Sequence, residues 1–179
     1  MVLGNYWKAF KATALVDSLE DGNQYYATVN TGMIDINGQP AKSILYRCPY
    51  SRDPSQIILR NTRLKVFDSV RIGEGTGDIQ NSDYSLFHDC TDRINGLSFT
   101  LNNSGQDYGF STVATIHGRY STLFAPQITI TEVGFVKKFA SDVSFSTTSD
   151  VMLVKMLLDE PITLNAGDPF NITVEWIES

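Results

Sequence analysis

The sequence predicts an all-β protein: an antiparallel β-sandwich of jelly-roll-like form over residues 23–179, preceded by one short N-terminal α-helix within residues 1–22. Three observations predict it. Near the C-terminus Phe170, Ile172, Val174 and Trp176 alternate with Asn171, Thr173 and Glu175, and a period of two sends one row into a core and the other toward water. Short runs of the same kind recur along the chain, separated by Asn-Gly, Asn-Asn-Ser-Gly and Asn-Ala-Gly-Asp turn sequences. Beyond the first helix no segment carries the periodicity of a crossover helix, so successive strands must pair antiparallel.

Asn5 is placed to cap a helix over residues 6–16, because its side-chain oxygen can accept from first-turn N–H groups. Trp7, Phe10 and Ala14 share one face of that helix, and with Tyr6 they form the expected docking surface. Residues 25–29 and a short run over 33–36 read as strands, and Asn37-Gly38 turns the chain into a strand over 43–48. Pro49 and Pro54 bracket a loop. Strands then follow over 56–59 and 63–72, the second with a bulge near Val66-Phe67. Leu97, Phe99 and Leu101 alternate in a strand that turns at 102–105 and returns over 110–117. Pro126 leads into a strand over 128–131, where Gly134 beyond it reads as a site of close approach. Residues 151–158 are apolar on both sides except at Lys155, so both faces should be covered. Ile162 and Leu164 form a short strand headed by Pro161, and the 165–168 turn should pair it directly with Phe170 to Trp176.

The chain has 179 residues, enough for one well-buried core, and its hydrophobic and charged fractions of 42% and 19% are those of a folded globule. A formal net charge of −6 argues against nucleic acid as a partner, because phosphate binding draws on clustered Lys and Arg. The basic group Arg60, Arg63 and Lys65 reads as one solvated strand face. No apolar run approaches the roughly 20 residues that span a bilayer. Lys8 and Lys11 interrupt any signal-peptide core, so maturation in a cytoplasm without processing is expected, with no membrane partner. Cys48 and Cys90, neither in a C-x-x-C pair, suit buried free thiols, though a disulfide between them is the open alternative.

Candidate chemistry is sparse. The run from Ile72 to Gly77 invites a phosphate-cradle reading, but it lacks the Gly-Lys-Ser/Thr ending and the following helix, and Glu74, Asp78 and Asp83 would repel a phosphate. A wide loop with several positive-φ glycines is expected instead. His88, Asp89, Cys90 and Asp92 gather reactive side chains, but neighbours on an extended chain point to opposite faces, which disfavours a nucleophile with its base. His88 and Cys90 could share a face, yet His117 is the only other histidine, short of a four-ligand zinc set. The acidic pairs Asp89/Asp92, Glu20/Asp21 and Asp159/Glu160 carry no further glycosidase signal. No enzyme activity, cofactor or metal is expected. The eight tyrosines suit a core or an interface and, as an alternative, a glycan-stacking patch.

Val70-Arg71-Ile72-Gly73-Glu74-Gly75-Thr76, followed by Ser82-Asp83-Tyr84-Ser85-Leu86, resembles a pattern of small structural proteins of tailed bacteriophages, in which a strand runs into I-G-x-G-T and then D-Y-x-L. The segments Ile130-Thr131-Glu132-Val133-Gly134-Phe135, Leu153-Val154-Lys155, Pro161-Ile162-Thr163-Leu164, Gly167-Asp168 and Val174-Glu175-Trp176-Ile177 are similar to the closing section of the same proteins. The resemblance spans about residues 65–179 and singles out Gly73, Gly75, Asp83, Tyr84 and Leu86 as a loop motif. The chain departs from the pattern at residues 77–81, where Pro-Thr-rich spacers are frequent, and at Lys155, where Arg is common. What the resemblance implies is a head-fibre, capsid-decoration or collar component, as in crAss-like phages. Such a protein would assemble in the host bacterial cytoplasm into the virion, as a homo-oligomeric trimer or ring among other virion proteins. A carbohydrate-binding module of a tail fibre, with its site at the residue 73–83 loop, is the alternative.

Overall fold

The computed structural model describes residues 26–47, 57–59, 67–80, 82–104, 111–140 and 148–177. The helix expected over 6–16 with Tyr6, Trp7, Phe10 and Ala14, the Pro49 to Pro54 loop, Arg60, Arg63, Lys65 and Cys48 lie outside the described residues. Nine strands occur among those described: β1 (Tyr26–Ile34), β2 (Pro40–Arg47), β3 (Ile57–Leu59), β4 (Ser69–Gly73), β5 (Ile94–Ser104), β6 (Ser111–Tyr120), β7 (Gln127–Ala140), β8 (Thr148–Asn165) and β9 (Pro169–Ile177). They form three antiparallel sheets of three strands, in the orders β1-β2-β3, β4-β7-β8 and β5-β6-β9. The expected all-β antiparallel class therefore holds.

A hairpin forms around Asn37-Gly38 as expected, through a turn over Asp35 to Gly38 in which the Gly38 N–H donates to the Asp35 carbonyl at 2.9 Å, with Gly38 at φ 79 and Ile34 opposite Pro40. Asp35 closes it, its Oδ1 accepting from the backbone N–H of Asn37 at 2.8 Å and of Gln39 at 2.9 Å. The two runs expected as separate strands over 25–29 and 33–36 meet in one strand, β1 from Tyr26 to Ile34, with a register irregularity between Asn30 and Ile34, and Asp35 and Ile36 fall in the turn that follows. The Ile36 N–H donates to the Asp150 carbonyl at 2.8 Å, which ties this hairpin to β8.

The β7–β8 hairpin is much longer than the sequence pattern indicates, because two irregularities interrupt its alternation. Ile130 lies opposite Ile162 and Glu132 opposite Leu157, so Thr131 alone faces the four residues Leu158, Asp159, Glu160 and Pro161. Pro161 thus sits in a wide bulge inside one strand, where its missing N–H breaks no ladder bond. Further along, Phe135 lies opposite Val154 and Val136 opposite Met152, which leaves Leu153 as an extra residue. The first bulge shifts the phase of β7. Ile128 and Ile130 before it, and Val133 and Phe135 after it, all enter the main core, while Val136 packs with Leu86 and Met152 in a second cluster. Val151 through Met156 are buried, so both faces of β8 are covered there as expected.

The main core draws on the β4-β7-β8 and β5-β6-β9 sheets together, with Ile72, Ile130 and Leu153 from one and Ala114, Ile116, Phe170 and Ile172 from the other. Phe135 is its centre: the side chain has no exposed surface, and its ring lies 5.6 Å from Phe99 in a T-shaped contact and 5.2 Å from Phe67.

One expected pairing is overturned. Ile162 and Leu164 pair with Ile130 and Ile128 of β7, not with β9, and β9 pairs with β6 through Ile172 opposite Ile116. The 165–168 turn does form, with Gly167 at φ 89 and Asp168 Oδ2 accepting from the Asn165 N–H at 2.9 Å. Its exit is already tied to the end of β6, however. Gly167 N–H donates to the Tyr120 carbonyl and Tyr120 N–H to the Asp168 carbonyl, each at 3.0 Å. The turn therefore passes the chain from one sheet to the other.

Candidate functional site

β4 ends at Gly73, and the chain then leaves the sheet and returns at Asp89. The lobe is closed at its neck: Gly73 bridges Asp89, the Glu74 N–H donates to the His88 carbonyl at 2.9 Å, and the Cys90 N–H donates to the Ile72 carbonyl at 3.0 Å. Arg71 pairs with Asp89, and Arg93 with Glu74 at 2.9 Å, across the same neck. Burial alone would raise the Asp89 carboxyl, but hydrogen bonds from the Thr91 side chain and backbone, with the Arg71 guanidinium, hold it below its ordinary value.

Beneath the lobe lies a buried carboxylate. The phase shift at Thr131 turns Glu132 away from the main core and under the lobe, where it has no exposed surface. Its Oε1 accepts from the backbone N–H of His88 at 2.9 Å and of Gly75 at 3.2 Å, and its Oε2 from that of Phe87 at 3.1 Å. A carboxylate accepting charge-assisted bonds from three backbone donors replaces water for both sides, which makes its burial tolerable.

Lys155 rises from β8 beside it, opposite Gly134 and one diagonal step from Glu132. Its Nζ donates to Asp83 Oδ2 at 3.1 Å and to the Ser85 carbonyl at 3.0 Å, and it stands 3.7 Å from Glu132 Oε2. The Phe87 ring covers the ammonium, with its centroid 3.2 Å away, a contact in which the ring face attracts the cation. Asp83 is brought there by a local turn in which the Asp83 N–H donates to the Gln80 carbonyl. Lys155 is 4% exposed, and a buried cation of this kind requires such partners.

The glycines of the loop have a different purpose from the one expected. None of Gly73, Gly75 and Gly77 has positive φ; among the described residues the positive values belong to Gly32, Gly38, Gly96 and Gly167. Gly73 and Gly75 are small because Glu132 and the returning chain press against them. A Cβ on Gly73 would lie 2.5 Å from Glu132 Oε1 and 2.6 Å from the His88 carbonyl oxygen. On Gly75 it would lie 2.5 Å from Glu132 Oε1 and 2.9 Å from the His88 nitrogen. Gly75→Ala should therefore cost about 1–3 kcal/mol as an overpacking change, read by urea denaturation. Gly77→Ala, whose Cβ would meet only the Phe87 ring at 3.3 Å, should cost much less. Equal effects would show that the loop moves aside without loss.

The structure brings together four of the five loop residues that the sequence singled out. Gly73 and Gly75 sit on Glu132, Asp83 pairs with Lys155, and Leu86 is buried against Met152 and Val136. Tyr84 stands apart, 40% exposed, with its ring over Gly38. Gly134 is a close-approach site as expected: a Cβ there would lie 2.7 Å from Met152 Cε and 3.1 Å from Leu86 Cδ2. Sequence reasoning missed Glu132, Phe87 and the role of Lys155. The available signal was Lys155 itself, a lone charge inside the apolar run from Val151 to Leu158, which requires a buried counter-charge.

His88 is exposed whereas Cys90 is fully buried, so the two share no face. Cys90 is a free thiol whose Sγ donates to the Ile72 carbonyl at 3.4 Å. Burial, and then the nearby Glu74 carboxylate, push it up to about 12, which keeps it in the un-nucleophilic protonated form at neutral pH. Among the described residues no group of three His, Cys, Asp or Glu side chains is placed to hold a metal ion.

The chain matches no family model, no curated protein and no solved structure. Two carboxylates and one ammonium, walled by Phe87 and backed by three backbone donors, form a buried polar knot between a loop and a sheet.

Proposed function

We propose that the protein is a non-enzymatic structural component of a tailed-bacteriophage particle, a head-fibre, capsid-decoration or collar protein that acts through protein–protein assembly. In this reading the β4-β7-β8 and β5-β6-β9 sheets are the layers of a jelly-roll-like sandwich, and residues 6–16 form the helix that docks on a neighbour. The observation that carries it is the interlocking of the two stretches on which the phage resemblance rests. Ile72 and Gly73 pair with Val133 and Glu132, Gly75 and Phe87 are held by Glu132, Asp83 is held by Lys155, and Leu86 packs on Met152. A motif whose polar residues bind one another is suited to keeping a surface lobe rigid, which is what a particle component offers its neighbours.

Assembly as a homo-oligomeric trimer or ring, with other virion proteins as partners, follows the usual symmetry of such particles. Incorporation into phage particles tests this. Trp7→Ala with Phe10→Ala should remove the protein from purified particles while far-ultraviolet circular dichroism stays that of the parent. Undiminished incorporation would refute docking through this helix. Binding on a glycan array that disappears on substitution in the residue 73–83 loop would favour the carbohydrate-module alternative.

A further inference from the structure

We propose that Lys155 and Asp83 become joined by an intramolecular amide bond, which the protein forms by itself with Glu132 as proton carrier. Lys155 Nζ lies 3.1 Å from Asp83 Oδ2 and 3.7 Å from Glu132 Oε2, with Glu132 fully buried and the Lys155 and Asp83 side chains 4% and 18% exposed. The Ser85 carbonyl, at 3.0 Å, and the Phe87 ring fix Nζ from other sides. An ion pair needs one carboxylate. Here a second one, buried and oriented by three backbone N–H groups, stands within reach of the same nitrogen, and this is the additional group that condensation requires.

In water an ammonium and a carboxylate do not condense, because the charged nitrogen has no free electron pair and the carboxylate resists attack. In a site largely closed to water, transfer of one proton along the existing hydrogen bond from Nζ to Asp83 Oδ2 converts the ion pair to an amine and a carboxylic acid. Fixed contact distances of this order replace the entropy of encounter. Nζ then attacks Asp83 Cγ, forming the N–C bond. Glu132 takes a proton from the attacking nitrogen and passes it to the hydroxyl on Cγ as that C–O bond breaks. The bonding pair leaves with oxygen, and one water is released. The ammonium and carboxylate together become one amide and one water, with no oxidant, metal or cofactor consumed. The product ties the lobe covalently to β8.

Intact-mass spectrometry of the denatured full chain tests the proposal. The expected result is a chain one water lighter than its sequence, with digestion releasing a branched peptide that contains both Asp83 and Lys155. Lys155→Arg keeps a cation among the same partners but lacks the primary amine, and it should have full mass. Glu132→Gln, nearly identical in size, should form the amide slower by on the order of 10²-fold or more while remaining folded by circular dichroism. Full mass in the parent protein would overturn the proposal, as would a water loss confined to a peptide containing Asp83 alone. Unchanged formation in Glu132→Gln would overturn the part assigned to Glu132.

Discussion

Glu132→Ala is expected to lower the free energy of unfolding by about 3–5 kcal/mol, the range for removing one partner from a buried ion pair. The change leaves the N–H groups of Gly75, Phe87 and His88 without their acceptor and removes one of the two carboxylates beside Lys155. Urea denaturation in a Lys155→Arg background isolates the noncovalent share, because no amide can join positions 83 and 155 in that chain. Glu132→Gln in the same background retains an acceptor oxygen and should lose less. A loss below about 1 kcal/mol for Glu132→Ala would show that water replaces the carboxylate at little cost and that the lobe is held mainly from its neck.

Phe135→Ala is expected to cost about 3–5 kcal/mol. The ring is fully buried in the main core and touches Phe67 and Phe99, from opposite sheets of that core in the case of Phe99. Truncation leaves a cavity that rigid strands on two sheets cannot close. Phe135→Leu keeps most of the volume and should cost under about 1.5 kcal/mol. Near-equal losses for Ala and Leu in thermal or urea unfolding would indicate that the aromatic contacts, not the volume, carry the effect.

Neither position is legible from alternation alone. Phe135 lies an odd number of residues from Ile128 and Ile130, so strict alternation sends it to the opposite face, and it enters the main core with them only because of the phase shift at Thr131. Glu132 follows Ile128 and Ile130 at the same spacing of two, so strict alternation assigns it to the core with them. Only the bulge at Thr131 turns it the other way. A bulge of this kind depends on which partner residues lie opposite, and those are distant in sequence.

Local chemistry by itself determined the all-β class, the Asn37-Gly38 hairpin, the cover on both faces of β8 and the close approach at Gly134. Each depends on side-chain period or on a few adjacent residues, which a linear reading contains. The tertiary structure alone decided that β9 joins β6 and not β8, because Tyr120 holds the 165–168 turn from outside it. It also decided that Gly73 and Gly75 serve contact with Glu132 and not positive φ. Finally, it brought Asp83, Glu132 and Lys155 to a single point. These outcomes rest on pairing and burial between segments far apart in the chain, where the energy of a charge is fixed by its neighbours in space.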